Sequence, residues 1–240
     1  MRPDIASRAE SEENSCNSNN YRNSSNIQCI HLNGQSIRNK MELLEAEIRG
    51  YDVVAISETW LGEGDEQKAV EIKGYHDPIR KDRTQNRGGG VAIYGKGNLA
   101  VIKLEDLDDP GLEAVWVVVN TGRNRVLVGD MYRPPNSDVQ YWELIDQAFE
   151  KAKLSGMGNI LIVGDINEDQ TIPGNRLERL CDDYNMQQMV EEQTHGNSIL
   201  DVMITANPAK VKNITVRPQS LSNHMAISLE FKFKAPEVKK

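Results

Sequence analysis

Aromatic residues are scarce in this 240-residue chain, where Phe, Trp and Tyr make up 5% of positions. Its three cysteines, Cys16, Cys29 and Cys181, stand far apart and form no Cys-x-x-Cys pair. That spacing excludes a thiolate zinc site, and an odd, sparse set favours a reducing compartment over a disulfide framework. No stretch approaches the roughly 18 consecutive apolar residues of a membrane span, so the expectation is a soluble chain with no membrane partner. The first 26 residues hold no apolar run either, which argues against a secretory signal. No Gly-x-Gly-x-x-Gly follows a first strand, and the glycines at 88–90 lack the Gly-Lys-Ser/Thr of a P-loop. Basic charge is short as well: 28 Lys and Arg against 36 Asp and Glu give a net charge of −8. An acidic balance argues against tight non-specific binding to nucleic acid, but not against a site whose carboxylates hold a cation.

What the chain does have is aliphatic strands. Runs rich in Val, Ile and Leu predict strands at Ile27–Leu32, Val53–Ser57, Gly90–Tyr94, Ala114–Asn120, Arg125–Tyr132, Asn159–Val163, Leu200–Thr205 and Ala226–Phe233. The last alternates apolar with polar residues, the pattern of a half-exposed strand. Met41, Leu44 and Ile48 at helical spacing predict a helix stopped by Gly50. A second helix is expected over Asp138–Leu154, with Trp142, Ile145, Phe149 and Ala152 along one stripe, and a third over Arg176–Tyr184. Many strands and few helices predict an α/β, four-layered sandwich: two mainly antiparallel or mixed β-sheets packed face to face, with helices outside. Residues 1–26, rich in Ser, Asn and Glu, read as a disordered tail, 27–233 as the domain, and 234–240 as a second tail.

Polar residues sit at the ends of these apolar strands. Asn33 follows Ile-His-Leu, Glu58 follows Val-Val-Ala-Ile-Ser, and Asp165 and Asn167 follow Ile-Leu-Ile-Val-Gly. Asp201 opens the strand continuing Val-Met-Ile, and Asn223 and His224 precede Met-Ala-Ile-Ser-Leu. Any one of these fits an ordinary strand end entering a polar loop. If the strands lie side by side, six such ends converge and bring carboxylates, amides and an imidazole into one cleft. Grouped acids are costly unless a cation or protons compensate. Oxygen and amide ligands suit Mg²⁺ or Mn²⁺ better than zinc, and such a cation beside a carboxylate-held histidine fits hydrolysis of a phosphate ester.

In order along the chain, these segments resemble the signature blocks of the endonuclease/exonuclease/phosphatase superfamily. The blocks are Leu32-Asn33-Gly34, Ser57-Glu58-Thr59-Trp60-Leu61, Arg87-Gly88-Gly89-Gly90-Val91-Ala92-Ile93, Tyr132-Arg133-Pro134-Pro135, Gly164-Asp165-Ile166-Asn167, Leu200-Asp201 and Ser222-Asn223-His224. Asn33-Gly34-Gln35-Ser36-Ile37-Arg38-Asn39-Lys40, Glu58-Thr59-Trp60-Leu61 and Thr194 shortly before Leu-Asp are similar to the endonuclease domain of non-LTR retrotransposons. The resemblance implies a Mg²⁺-dependent endonuclease, with Mn²⁺ able to substitute, that nicks double-stranded DNA in the nucleus to prime reverse transcription. It also implies that these residues are part of a larger polyprotein carrying a reverse transcriptase.

Residue roles follow from the same resemblance. Glu58 is the expected metal ligand, supported by Asn33. Tyr132 is expected to contact the scissile phosphate, Asp165 to align or activate the attacking water, and Asn167 to hold the phosphate. Asp201 would orient His224, and Thr194 would touch the DNA backbone. Structural alternatives stay open: Tyr132 also fits a plain strand end before the Pro-Pro turn, and Asn167 an Asx-turn residue. His31, His76 and His195 match no block and read as surface or structural. The basic residues Arg80, Lys81, Arg83 and Arg87, and Arg123, Arg125 and Arg133, are either solvated faces or DNA contacts. The segments 80–89 and 205–222 are the loops expected to choose the target site. Two other functions remain open: a phosphodiesterase acting on abasic DNA, RNA or a small phosphoester, and a non-catalytic binding module.

One block departs from the pattern. The family carries Ser-Asp-His where this chain has Ser222-Asn223-His224. Asparagine keeps the shape and one carbonyl oxygen but loses the charge, a change worth roughly 10–100-fold in affinity or activity by analogy with disturbed metal environments. The expected outcome is that Asn223→Asp raises nicking of supercoiled plasmid in Mg²⁺. Equal rates for the two proteins would show that the amide is tolerated.

Overall fold

The computed structural model describes residues 24–62, 64–84, 88–122 and 124–233. The expected C-terminal tail and most of the N-terminal one lie outside these residues. Of the latter, residues 24–26 are described: Ser24 is buried and Asn26 opens the first strand.

Twelve strands form two six-stranded sheets among the described residues. The first contains β1 (Asn26–Asn33), β2 (Val53–Ser57), β3 (Ile79–Lys81), β4 (Val91–Gly95), β11 (Val211–Pro218) and β12 (Met225–Lys232), in the order β11-β12-β1-β2-β4-β3. The second contains β5 (Ala100–Lys103), β6 (Glu113–Asn120), β7 (Arg125–Tyr132), β8 (Ile160–Asp165), β9 (Gln187–Gln188) and β10 (Asp201–Thr205), in the order β5-β6-β7-β8-β10-β9. Each sheet has one parallel pair, β1 with β2 and β7 with β8, and is otherwise antiparallel. This is the expected sandwich.

Period-two alternation divides the core into three layers. Ile27 and Cys29 of β1, Val53 and Ala55 of β2, Val126 and Val128 of β7, and Leu161 and Val163 of β8 meet between the sheets. The intervening residues point outward. Ile30, Leu32, Val54 and Ile56 pack with Leu44 and Ile48 of the α1 (Met41–Glu47) region. Leu127, Met131, Ile160 and Ile162 pack under α2 (Val139–Leu154) and α3 (Arg176–Asp183). The stripe Trp142, Ile145, Phe149 and Ala152 is buried as its spacing requires. Side chains cap the two longer helices: Asp138 accepts from the N–H of Tyr141 at 3.1 Å, and Asn175 from that of Glu178 at 2.8 Å. Gly50 ends the α1 segment with φ +97°.

Three expectations need correction. Strand β12 is not half exposed: it runs between β11 and β1, and its Ser228 and Glu230 are buried. Their polar atoms are satisfied there: Ser228 pairs with the Thr215 hydroxyl at 2.7 Å, and Glu230 accepts from the amides of Asn213 and Asn26. The segment 205–222 is not all loop; its middle is β11, an edge strand whose Lys212 and Arg217 mask an extended pattern. Segment 80–89 likewise contains part of β3. Among the described residues, no helix is long and apolar enough to cross a membrane.

Gly129 on β7 faces Trp116 on β6, and an added Cβ would stand 2.4 Å from the buried indole. Gly129→Ala is therefore expected to destabilise the fold by about 1–3 kcal/mol, the range for overpacking a filled core. Denaturant midpoints of the two proteins measure it; an unchanged midpoint would show that the ring can move freely.

Candidate active site

The inter-sheet face of each central strand ends in a polar residue. On β1 the inward positions run Ile27, Cys29, His31, Asn33, and on β2 Val53, Ala55, Ser57. On β7 they run Val126, Val128, Asp130, Tyr132; on β8 they end at Asp165; on β10 they begin at Asp201. Register aligns these ends: Asn33 lies beside Ser57, Tyr132 beside Asp165, and Asp165 opposite Asp201. The apolar layer between the sheets thus opens at one edge into a polar cleft. Gly164 allows this alignment, since with φ +147° an added Cβ would stand 1.8 Å from the Met131 carbonyl oxygen.

A hydrogen-bonded chain runs across the cleft. The Tyr132 hydroxyl donates to Glu58 Oε1 at 3.0 Å, and Asn33 Nδ2 donates to the same oxygen at 3.3 Å and to Asp165 Oδ2 at 2.8 Å. The Asn33 side-chain oxygen Oδ1 accepts from the Gln35 N–H. His224 Nδ1 pairs with Asp201 Oδ2 at 2.9 Å. Burial, and then the neighbouring Asp201 charge, push the Asp165 carboxyl up to about 8. Burial lowers the pKa of His224, but the hydrogen bond to Asp201 and the charges of Asp201, Asp165 and Glu58 together outweigh it, and the net shift is upward. Burial and the Glu58 charge raise the Tyr132 phenol, which therefore stays a neutral donor.

The remaining candidates sit differently. Asn167, at φ +49°, donates from its backbone to Asp165 Oδ1 at 3.1 Å and from its amide to the Arg133 carbonyl at 2.9 Å. Thr194 is fully buried, and its hydroxyl accepts from the N–H groups of Leu200 and Asp201 at 2.9 and 3.0 Å. It cannot touch a DNA backbone from there; it fixes the start of β10 and so the position of Asp201. Asn223 is exposed at the rim, where its amide donates to His195 Nε2 at 3.0 Å.

His195 stacks on His224, ring centroids 4.4 Å apart, and so belongs to the cleft rather than to a distant surface. His31 is fully buried beneath the cleft, with Nε2 3.0 Å from the Ser57 hydroxyl and Nδ1 3.7 Å from Asp201 Oδ1. Burial lowers its pKa to about 4, so it is a neutral imidazole at pH 7. The Ser57 hydroxyl also reaches Asp130 at 3.5 Å, and burial raises that carboxyl well above its usual range. One signal could have found His31: it lies two residues before Asn33 and therefore on the same strand face. His195 had none, because a loop fold alone brings it to His224.

Glu58 and Trp60 adopt φ +54° and +55°, held by backbone hydrogen bonds from Thr59 and Trp60 to the carbonyls of Gly90 and Gly89. The glycine run 88–90 takes φ from +71° to +98°, and an added Cβ at Gly89 or Gly90 would strike the Arg83–Glu113 pair or the Thr59 hydroxyl. This run makes the tight turn into β4.

Asp165, Asp201 and His224 offer ligand atoms within 4.8 Å of one another, and Glu58 joins them through the Asn33 amide. Among the described residues, Asp201 Oδ1 is buried without a hydrogen-bond partner, with His31 Nδ1 3.7 Å away. Carboxylate oxygens plus one imidazole, with a buried oxygen unpaired, fit a hard divalent cation. Without a cation, raising the Asp165 pKa leaves the folded state holding a proton that the unfolded chain loses near pH 4. The Asp165 contribution to stability is then fully present below pH 4, is lost as pH rises toward 8, and levels beyond. Thermal melts in chelator are expected to follow that slope, with Asp165→Asn flatter. Millimolar Mg²⁺ or Mn²⁺ should raise the melting temperature of the native protein at pH 7.5 and not that of the variant; a cation-independent melt would remove the binding reading.

The sequence pattern of the Endonuclease/Exonuclease/phosphatase family matches residues 24–224. Among solved structures, the chain is similar to the endonuclease domain of TRAS1, a telomere-specific non-LTR retrotransposon. The two are 17% identical over 87% of this chain and 99% of that one, with a TM-score of 0.68. It is also similar to the AP endonuclease LMAP from Leishmania major, 12% identical over 88% and 89% of the two chains, TM-score 0.68. The 3′ phosphatase NExo from Neisseria, bound to a product DNA hairpin, is 15% identical over 86% and 99%, TM-score 0.62. No curated protein matches by sequence. At these identities the structural likeness carries the fold, and the pattern match spans most of the chain. This chain belongs to the Endonuclease/Exonuclease/phosphatase family.

Proposed function

We propose that the protein is a Mg²⁺-dependent DNA endonuclease that nicks one strand of duplex DNA and leaves a 3′-hydroxyl for primed reverse transcription. The observation that carries this reading is the convergence of Tyr132, Glu58, Asn33 and Asp165 with the Asp201–His224 pair in one cleft on a nuclease-family fold. Members of this family are metal-dependent phosphodiesterases. The motifs from Asn33 to Lys40 and at Glu58-Thr59-Trp60-Leu61 favour the retrotransposon branch. On this reading the chain works in the nucleus, as part of a polyprotein that also carries a reverse transcriptase.

The cation, Mg²⁺ with Mn²⁺ as a substitute, would be held by Glu58 and the carboxylates beside it, polarising a phosphoryl oxygen and offsetting charge on the leaving oxygen. Asp165 orients the attacking water and takes its proton, its own position fixed by Asn33 and the Asn167 N–H. Asp201 fixes the ring of His224, which presents its other nitrogen to the phosphate. The Tyr132 hydroxyl and the Asn167 amide contact the same phosphate. Thr194 acts only by placing Asp201.

A second reading has its own support, since an AP endonuclease and a 3′ phosphatase share the fold. Cleavage of intact plasmid, an abasic duplex and a 3′-phosphate end, compared side by side, separates the two. On plasmid in Mg²⁺, Glu58→Ala and His224→Ala are each expected to reduce nicking by about 100-fold or more. Undiminished nicking by Glu58→Ala would take that residue out of the mechanism. DNA binding without cleavage in either cation, even after Asn223→Asp, would indicate a binding module.

A further inference from the structure

Three loops meet beside Glu58 and enclose a pocket of about 210 Å³ lined by Ser36, Arg38, Trp60, Gly62, Arg83 and Gly88. The pocket joins the catalytic cleft at two points. The Trp60 indole N–H donates to Glu58 Oε2 at 3.0 Å, and the Arg83 guanidinium lies 5.7 Å above the centroid of the Tyr132 ring.

The walls are held in costly conformations. Gln35, Ser36, Asn39, Glu58 and Trp60 all have positive φ, between +39° and +77°. For a residue as bulky as tryptophan that is a genuine outlier, and such strain persists only where the surroundings enforce it. Here the enforcement is a set of backbone hydrogen bonds: Ser36 N–H to Glu58 O, Ile37 N–H to Thr59 O, and Trp60 N–H to Gly89 O. Aiming Glu58 at the cleft accounts for the turn at 58. It does not account for a half-buried indole and two guanidiniums facing one concavity.

Among the described residues, both arginines keep donors available. Asp65 engages Arg38 through Nη2 alone, and the Arg38 side chain is 51% exposed. Glu113 takes Nε and Nη2 of Arg83, while Nη1 faces Gly88. A guanidinium carries five N–H donors, so one carboxylate leaves each able to bind an anion. An aromatic ring lining the same pocket as two such groups fits a sugar or base with its phosphate.

We infer that this pocket is a nucleotide subsite. It takes the nucleotide next to the scissile bond, its phosphate between Arg38 and Arg83 Nη1 and its sugar or base against Trp60. The inference rests on the endonuclease reading and extends it by assigning a substrate contact outside the catalytic cluster. Trp60 acts on both sides, because its ring lines the subsite while its N–H holds Glu58.

The test is a duplex with a mapped nick site, in which each phosphate flanking the scissile one is replaced in turn by a neutral methylphosphonate. With the native protein, one replacement is expected to raise KM by about tenfold, the scale of a lost charge-assisted contact. With Arg38→Ala, KM is already raised by that amount, kcat is kept, and the same replacement adds less than about twofold. Trp60→Phe keeps an aromatic face but loses the indole N–H, so it is expected to lower kcat by freeing Glu58 and to raise KM less than Arg38→Ala does. If the native protein nicks while Arg38→Ala keeps its KM, or if both proteins lose equally on every replacement, the subsite is overturned and the endonuclease reading stands. If the native protein neither binds nor nicks any duplex, both fall.

Discussion

Three adjacent strands of the second sheet hold Tyr132, Asp165 and Asp201 in a single row. Tyr132 lies beside Asp165 through the parallel β7–β8 pairing, and Asp165 lies opposite Asp201 through the antiparallel β8–β10 pairing. A slip of one residue in either ladder would turn its side chain to the outer face, under the helices. The catalytic arrangement is therefore as specific as the apolar core that sets this register. Val163 and Met203, inward-facing between the sheets, lock the strands whose ends carry the chemistry.

That arrangement has an electrostatic cost. Asp165 and Asp201 are almost completely buried, and their proximity raises the Asp165 pKa further than burial alone would. The protein offsets part of this from behind. Asn33 donates to two carboxylates, Thr194 fixes the backbone at Asp201, and neutral His31 and Ser57 tie the cleft floor to buried Asp130. A cation would complete the balance from the solvent side, where the cluster opens. Stability and chemistry thus draw on the same groups, with opposite demands on their charge.

Glu58 comes from a different source of order. Its carboxylate is placed by a loop with left-handed residues at 58 and 60, stitched to the glycine run at 88–90. Sheet register fixes one side of the cleft and strained loops fix the other. The Asn33 amide is the bridge between them. The neighbouring pocket belongs to the strained side.

Most of the strand framework is determined by the sequence itself, because central strands of a sandwich are buried on both faces and must be almost wholly apolar. Val53–Ser57 and Arg125–Tyr132 are visible end to end for that reason. The polar residues that interrupt the apolar runs at their ends, from Asn33 to His224, stand out against the same background. Strands β3, β5, β9 and β11 do not, since edge strands face solvent and carry the lysines, arginines and glutamines of loops. Tertiary structure alone decided which polar residues serve the cleft. Thr194 turned inward to brace Asp201, while His195 swung onto His224 and His31 came to rest beneath Asp201. Sequence spacing says which face of a strand a residue takes. Only the packing of two sheets and their loops decides what that face meets.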